Sequence, residues 1–114
     1  MKIAIIGSRN LTVNNIEDYL PKETTCIISG GAKGIDTCAR EFAKQKGLDL
    51  KEYLPDYKRY GKAAPLYRNV EIITVADFVI AFWDGKSRGT KYSIDKCEKM
   101  GKPLKIIYLP PKNL

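Results

Sequence analysis

Three glycine-bearing turns, Gly7-Ser8-Arg9, Ser29-Gly30-Gly31-Ala32-Lys33-Gly34 and Asp84-Gly85-Lys86-Ser87-Arg88-Gly89-Thr90, each follow a short apolar run and precede a helical pattern. Such turns suit a phosphate. Glycine lets the backbone approach a ligand closely, and the free N–H groups and dipole of a helix amino end favour an anion. Arg9, Lys33, Lys86 and Arg88 add positive charge to the same turns, and Lys58, Arg59, Lys62 and Arg68 fall in nearby segments. The chain has no histidine, which removes Ser-His-Asp and Cys-His catalysis and most transition-metal sites in one step. Carboxylates, Arg, Lys, Tyr and backbone N–H groups must carry any chemistry. No metal or cofactor is implied.

The elements that position these turns alternate along the chain. Strands are expected over residues 2–6, 25–29, 50–54, 78–82 and 104–108, and helices over 35–46, 64–76 and 90–100, with a weaker helix over 14–20 closed by Pro21. The helix over 35–46 has the strongest pattern, because Ile35, Cys38, Ala39, Phe42 and Ala43 recur on one face and Gly47 stops it. Residues 56–62 read as a tyrosine-rich loop, and Pro110-Pro111 begins a tail. The continuously apolar runs Ile3-Ala4-Ile5-Ile6 and Phe78-Val79-Ile80-Ala81-Phe82 suit central parallel strands covered on both faces. The expected fold is therefore an α/β, Rossmann-like three-layer sandwich with a mainly parallel sheet in the order 3-2-1-4-5. Its ligand crevice lies where strands one and four diverge.

At 114 residues the chain suits one domain, residues 1–114. No apolar run approaches the roughly 20 residues of a membrane helix, and the amino-terminal apolar run is too short for a signal segment, so the cytoplasm is the expected location. Cys26, Cys38 and Cys97 are odd in number and widely spaced, which favours buried thiols over disulfides or zinc. The net charge of +7 admits nucleotides, nucleic acid or a plainly basic surface. Lys44, Lys46, Lys102, Lys105 and Lys112 read as solvated.

Neither a G-x-G-x-x-G dinucleotide fingerprint nor a G-x-x-x-x-G-K-[ST] P-loop is present. The order of motifs is more specific. Ile-Gly-Ser-Arg after the first strand, Ser-Gly-Gly-Ala-Lys-Gly-Ile-Asp at residues 29–36, Tyr67-Arg68-Asn69-Val70 on a helix, and Ala81-Phe82-Trp83-Asp84-Gly85-x-Ser87-x-Gly89-Thr90 resemble the SLOG superfamily, closest to its YspA/YpsA-like branch. That superfamily includes the Smf/DprA DNA-processing proteins and the "lonely guy" phosphoribohydrolases. The resemblance spans nearly the whole chain and implies a Rossmann-like fold that binds nucleotides or their derivatives, frequently as a homodimer.

The enzymatic branch carries an Arg on the helix before strand four and a P-G-G-x-G-T-x-E-E motif after it. Arg68 resembles that Arg, and Gly85, Gly89 and Thr90 resemble the phosphate-binding positions, but Tyr92 and Ser93 stand where the two acidic residues would be. Cleavage of an N-glycoside passes through an oxocarbenium-like state that wants a nearby carboxylate. Asp36 and Asp84 are the candidates for that role, with Arg68 beside them, and each also has a plain structural use in a helix start or a turn. Tyr53, Tyr57, Tyr60, Tyr67 or Trp83 could stack on a base. The expected ligand set is Gly7, Ser8, Arg9, Gly30, Gly31, Lys33, Gly34, Arg68, Asn69, Trp83, Gly85, Ser87, Arg88, Gly89 and Thr90, holding a nucleotide or nucleotide derivative. An N-glycoside hydrolase acting on nucleoside monophosphates and a DNA-binding module are the alternatives.

Overall fold

The computed structural model describes residues 1–110; the tail beyond Pro110, with Lys112, lies outside the described residues. Five strands, β1 (Lys2–Gly7), β2 (Cys26–Ser29), β3 (Asp49–Glu52), β4 (Phe78–Trp83) and β5 (Leu104–Tyr108), form one sheet. Every pairing is parallel and the order is β3-β2-β1-β4-β5. Helices α1 (Ile35–Lys46), α3 (Ala64–Val75) and α4 (Arg88–Met100) fill the connections, with a single turn, α2 (Tyr57–Tyr60), between β3 and α3. The chain is thus an α/β protein of the Rossmann-like kind.

Alternation along the central strands sorts the core into two layers. Ala4 and Ile6 of β1, with Ile28 and Val79, meet Ile72 and Ile73 of α3 and Ile94 of α4 on one face. Ile3 and Ile5, with Ile27, Ile80 and Phe82, meet Ile35, Ala39 and Ala43 of α1 on the other, where Leu11 and Ile16 close the layer. β1 is therefore apolar at successive positions, because each of its faces is covered by a helix. Gly47 and Gly101 take the left-handed conformation that ends α1 and α4, each donating its N–H back into the last turn.

Three local expectations change. Residues 14–20 do not form an α-helix but a four-residue 3₁₀ turn, Ile16–Tyr19, since Ile16 alone among its four residues is buried and little packing supports a longer helix. The tyrosine-rich loop is ordered into α2 and the 3₁₀ turn Gly61–Ala63; Asp56 caps α2 by accepting the Arg59 N–H at 3.2 Å. Cys26 and Cys97 are buried, but Cys38 is only half-buried and its Sγ accepts the Val13 N–H at 3.4 Å. Burial raises the Cys97 thiol to about 11, which leaves it unreactive. Among the described residues no helix is long and apolar enough to cross a membrane.

Candidate functional site

β1 and β4 are neighbours whose connections leave to opposite faces, so their carboxyl ends open a crevice. The turn after β1 is pinned there by the Ser8 N–H, which donates to the Phe82 carbonyl at 3.1 Å. A cleft of about 510 Å³ occupies this edge, within the range of small-molecule sites. The glycine turns contribute Gly7, Arg9, Gly30, Ser87, Gly89 and Thr90, while α3 contributes Arg68 and Asn69. Both candidate carboxylates, Asp36 and Asp84, also line the cleft.

The remaining expected residues stand outside its wall. Ser8 is buried behind the turn, and Lys33, Gly85 and Arg88 are exposed beyond the lining. Gly31 and Gly34 serve their own turn: a Cβ on Gly31 would sit 2.9 Å from Leu54 Cδ2, and one on Gly34 would strike the Arg9 carbonyl. Trp83 is engaged elsewhere, its indole N–H donating to the Ser87 carbonyl at 3.0 Å and its ring tilted against Tyr108. Tyr92 and Ser93 do not line the cleft, whereas Ile6, Asn10, Ala32, Pro65 and Leu66 do. Asn10 directly follows the first turn and could have been found by adjacency; Pro65 and Leu66 carry no polar signal and are placed only by the way α3 packs.

Arg68 is held from three sides. Its Nη1 donates to the Gly30 carbonyl at 2.6 Å and the Tyr53 carbonyl at 3.2 Å, and its Nε to Asn69 Oδ1 at 2.8 Å. A Cβ on Gly30 would lie 2.5 Å from Nη1, so any side chain there would displace the guanidinium from this position. Burial disfavours the guanidinium charge and the field of Asp36 restores it. Nη2 has no bond among the described residues, which leaves one donor edge for a ligand oxygen.

At the third turn, Asp84 Oδ1 accepts the N–H groups of Lys86 and Ser87, each at 2.8 Å, and Ser87 caps α4 by accepting the Thr90 N–H at 3.4 Å. The N–H groups of Arg88 and Gly89, the first two of α4, have no acceptor among the described residues. Nothing lies within 4 Å of a Cβ placed on Gly89, so this glycine opens the helix end to the cleft.

The two carboxylates differ. Burial raises Asp36 above the ordinary carboxylate range against the opposing pull of the Ala32 N–H, which donates to its Oδ2 at 3.0 Å, and of Arg68. The Ser87 and Lys86 N–H groups lower Asp84 below it. A carbon-detected NMR titration is therefore expected to show Asp84 ionising before Asp36 as pH rises, on opposite sides of about 3.9. The stability Asp84 contributes is present above that pH and is lost as pH falls through its folded value. Asp36 acts oppositely, favouring the fold while protonated and withdrawing that support as pH rises through its folded value. Coincident titrations would contradict both placements.

Residues 1–60 match the YspA, cpYpsA-related SLOG family. The Gene 61 protein of Mycobacterium phage D29 is 33% identical over 84 residues, which covers 68% of this chain and 67% of that protein. The chain belongs to the YspA, cpYpsA-related SLOG family. No solved structure matches it. Family membership indicates a nucleotide-related function in general. The matched span contains the first two glycine turns and Asp36; the third turn and Arg68 follow it in sequence and meet it in the cleft.

Proposed function

We propose that this SLOG protein binds a nucleotide or nucleotide derivative in the cleft between β1 and β4, with the phosphate at the amino end of α4. The observation that carries the reading is the junction of the unpaired Gly89 N–H at the start of α4 with Arg9 and the free edge of Arg68 around one crevice. Saturating ligand should raise the midpoint of thermal unfolding by mass action. Gly89→Val, which fills the space in front of the helix end, should abolish the shift. A panel of nucleoside phosphates, cyclic nucleotides and ADP-ribose derivatives that gave neither a shift nor calorimetric heat would end this reading.

Hydrolysis of an N-glycoside is the second reading, favoured by one observation: Asp36 lies in the cleft wall near Arg68 and holds its proton more tightly than an ordinary carboxylate. With Tyr92 and Ser93 at the acidic positions of the hydrolase branch, release of free base from nucleoside monophosphates is expected to be absent or very slow. Multiple turnovers seen by chromatography, and lost in Asp36→Asn, would establish hydrolysis instead.

A further inference from the structure

Two charged side chains in the cleft wall face each other without touching. Asp36, the second residue of α1, and Arg68, on α3, are each 8% exposed, and both line the crevice. The place a Cβ on Gly30 would take is 2.5 Å from Arg68 Nη1 and 3.0 Å from Asp36 Oδ2, yet no nitrogen of Arg68 comes within 4.0 Å of an Asp36 oxygen. A buried ion is costly unless it is paired and hydrogen-bonded. Arg68 spends Nη1 and Nε on the Gly30 and Tyr53 carbonyls and on Asn69, which leaves Nη2. Asp36 accepts the Ala32 N–H at Oδ2 and feels the Ser29 hydroxyl, while a carboxylate offers about four lone-pair sites. A donor edge and an acceptor edge of opposite charge are therefore left on the two sides of Gly30. Asp84, the other carboxylate of the wall, is by contrast committed to its own turn through the Lys86 and Ser87 N–H groups.

We infer that the gap between Asp36 and Arg68 at Gly30 is the subsite for the 2'- and 3'-hydroxyls of a ribose whose phosphate lies at the amino end of α4. This rests on the proposed function and adds to it the part of the ligand that joins phosphate to base. An ionised phosphate oxygen only accepts, so it suits Arg9, Arg68 and the Gly89 N–H and is repelled by a carboxylate. An exocyclic amino group of a base only donates, so it suits Asp36 and leaves Arg68 Nη2 without an acceptor. A hydroxyl does both. Two neighbouring hydroxyls let one donate to Asp36 while the other accepts from Arg68, and hydrogen bonds to ionised groups are the stronger kind. The missing side chain at Gly30 keeps the gap open, because a Cβ there would stand between the two groups.

The test takes whichever of the four ribonucleoside 5'-monophosphates binds most tightly and compares it with its 2'-deoxy and 2',3'-dideoxy counterparts by calorimetry, on the wild type and on Asp36→Asn. Asparagine keeps a carbonyl for the Ala32 N–H but carries no charge, and circular dichroism checks that the fold is kept. In the wild type the dideoxy compound should bind roughly ten- to hundred-fold more weakly than the ribonucleotide, the scale of one hydrogen bond to a charged group. In Asp36→Asn that penalty should shrink to about fivefold or less, the scale of a neutral hydrogen bond. Carbon-detected NMR of the wild type supplies a readout that needs no substitution: the Asp36 carboxyl resonance should move with the ribonucleotide and much less with the dideoxy compound at matched saturation. A wild type that binds all three alike overturns the hydroxyl subsite and leaves the phosphate site standing. A penalty unchanged in Asp36→Asn overturns it equally, as does an Asp36 resonance that moves alike with ribose and dideoxyribose ligands. If no nucleotide binds, the proposed function fails and the subsite with it.

Discussion

Arg68→Ala is expected to lower the midpoint of thermal unfolding by roughly 10–15 °C, because the side chain is a structural tie as well as a cleft residue. It is 8% exposed and joins the Gly30 carbonyl, at the end of β2, to the Tyr53 carbonyl, at the end of β3. Hydrogen bonds from a charged donor contribute about 1.5–3 kcal/mol each, and water can re-enter the emptied space, so a net loss of about 3 kcal/mol is expected. The loss should grow with pH. Removing the cation takes away the field that favours ionised Asp36, so its folded-state pKa rises further and the ionised form becomes costlier near neutrality. Arg68→Ala/Asp36→Asn should therefore recover part of the stability at pH 7 and little near pH 4. Arg68→Lys should fall between wild type and alanine, since a single ammonium cannot reproduce the planar fork that spans both carbonyls and Asn69. Calorimetric unfolding of the four proteins at both pH values decides the matter. A midpoint for Arg68→Ala within about 2 °C of wild type would contradict the structural role.

The second large effect separates glycines that the sequence presents as equivalent. Gly34→Ala should destabilise by about 3–5 kcal/mol. Its φ of +70° with ψ of −121° is a conformation that glycine adopts freely and that costs an L-residue about 1–3 kcal/mol, and its new methyl would overlap the Arg9 backbone, which cannot yield without moving the first turn. Gly89→Ala should instead leave stability unchanged or raise it by up to about 1 kcal/mol, because Gly89 lies within the first turn of α4 with nothing near its Cβ and alanine is the better helix former. Urea unfolding measures both. Phosphate-ligand affinity should move the other way, falling in Gly89→Ala despite its sound fold. A stable Gly34→Ala protein with wild-type urea midpoint would show that the second turn can shift away from Arg9 and would sink the assignment.

What the sequence determined by itself was the framework. Continuous apolar runs, the stripe from Ile35 to Ala43 and the stop at Gly47 are local signals, legible because each reflects a segment's own backbone preference. They suffice for the alternation, the strand order and the placing of glycine turns at the carboxyl edge of the sheet, and the quoted motifs identified the family. Tertiary structure decided what each glycine is for. Gly7 accommodates Ile35 and the Phe82 carbonyl, Gly30 accommodates Arg68, Gly31 accommodates Leu54, Gly34 accommodates the Arg9 backbone, and only Gly89 among these opens onto empty space. It also set the Trp83 ring against Tyr108 and brought Leu66 into the cleft wall. These outcomes depend on atoms distant in sequence that arrive when the layers pack. A turn motif records the conformation of its own backbone and carries no record of the neighbour that a missing Cβ makes room for.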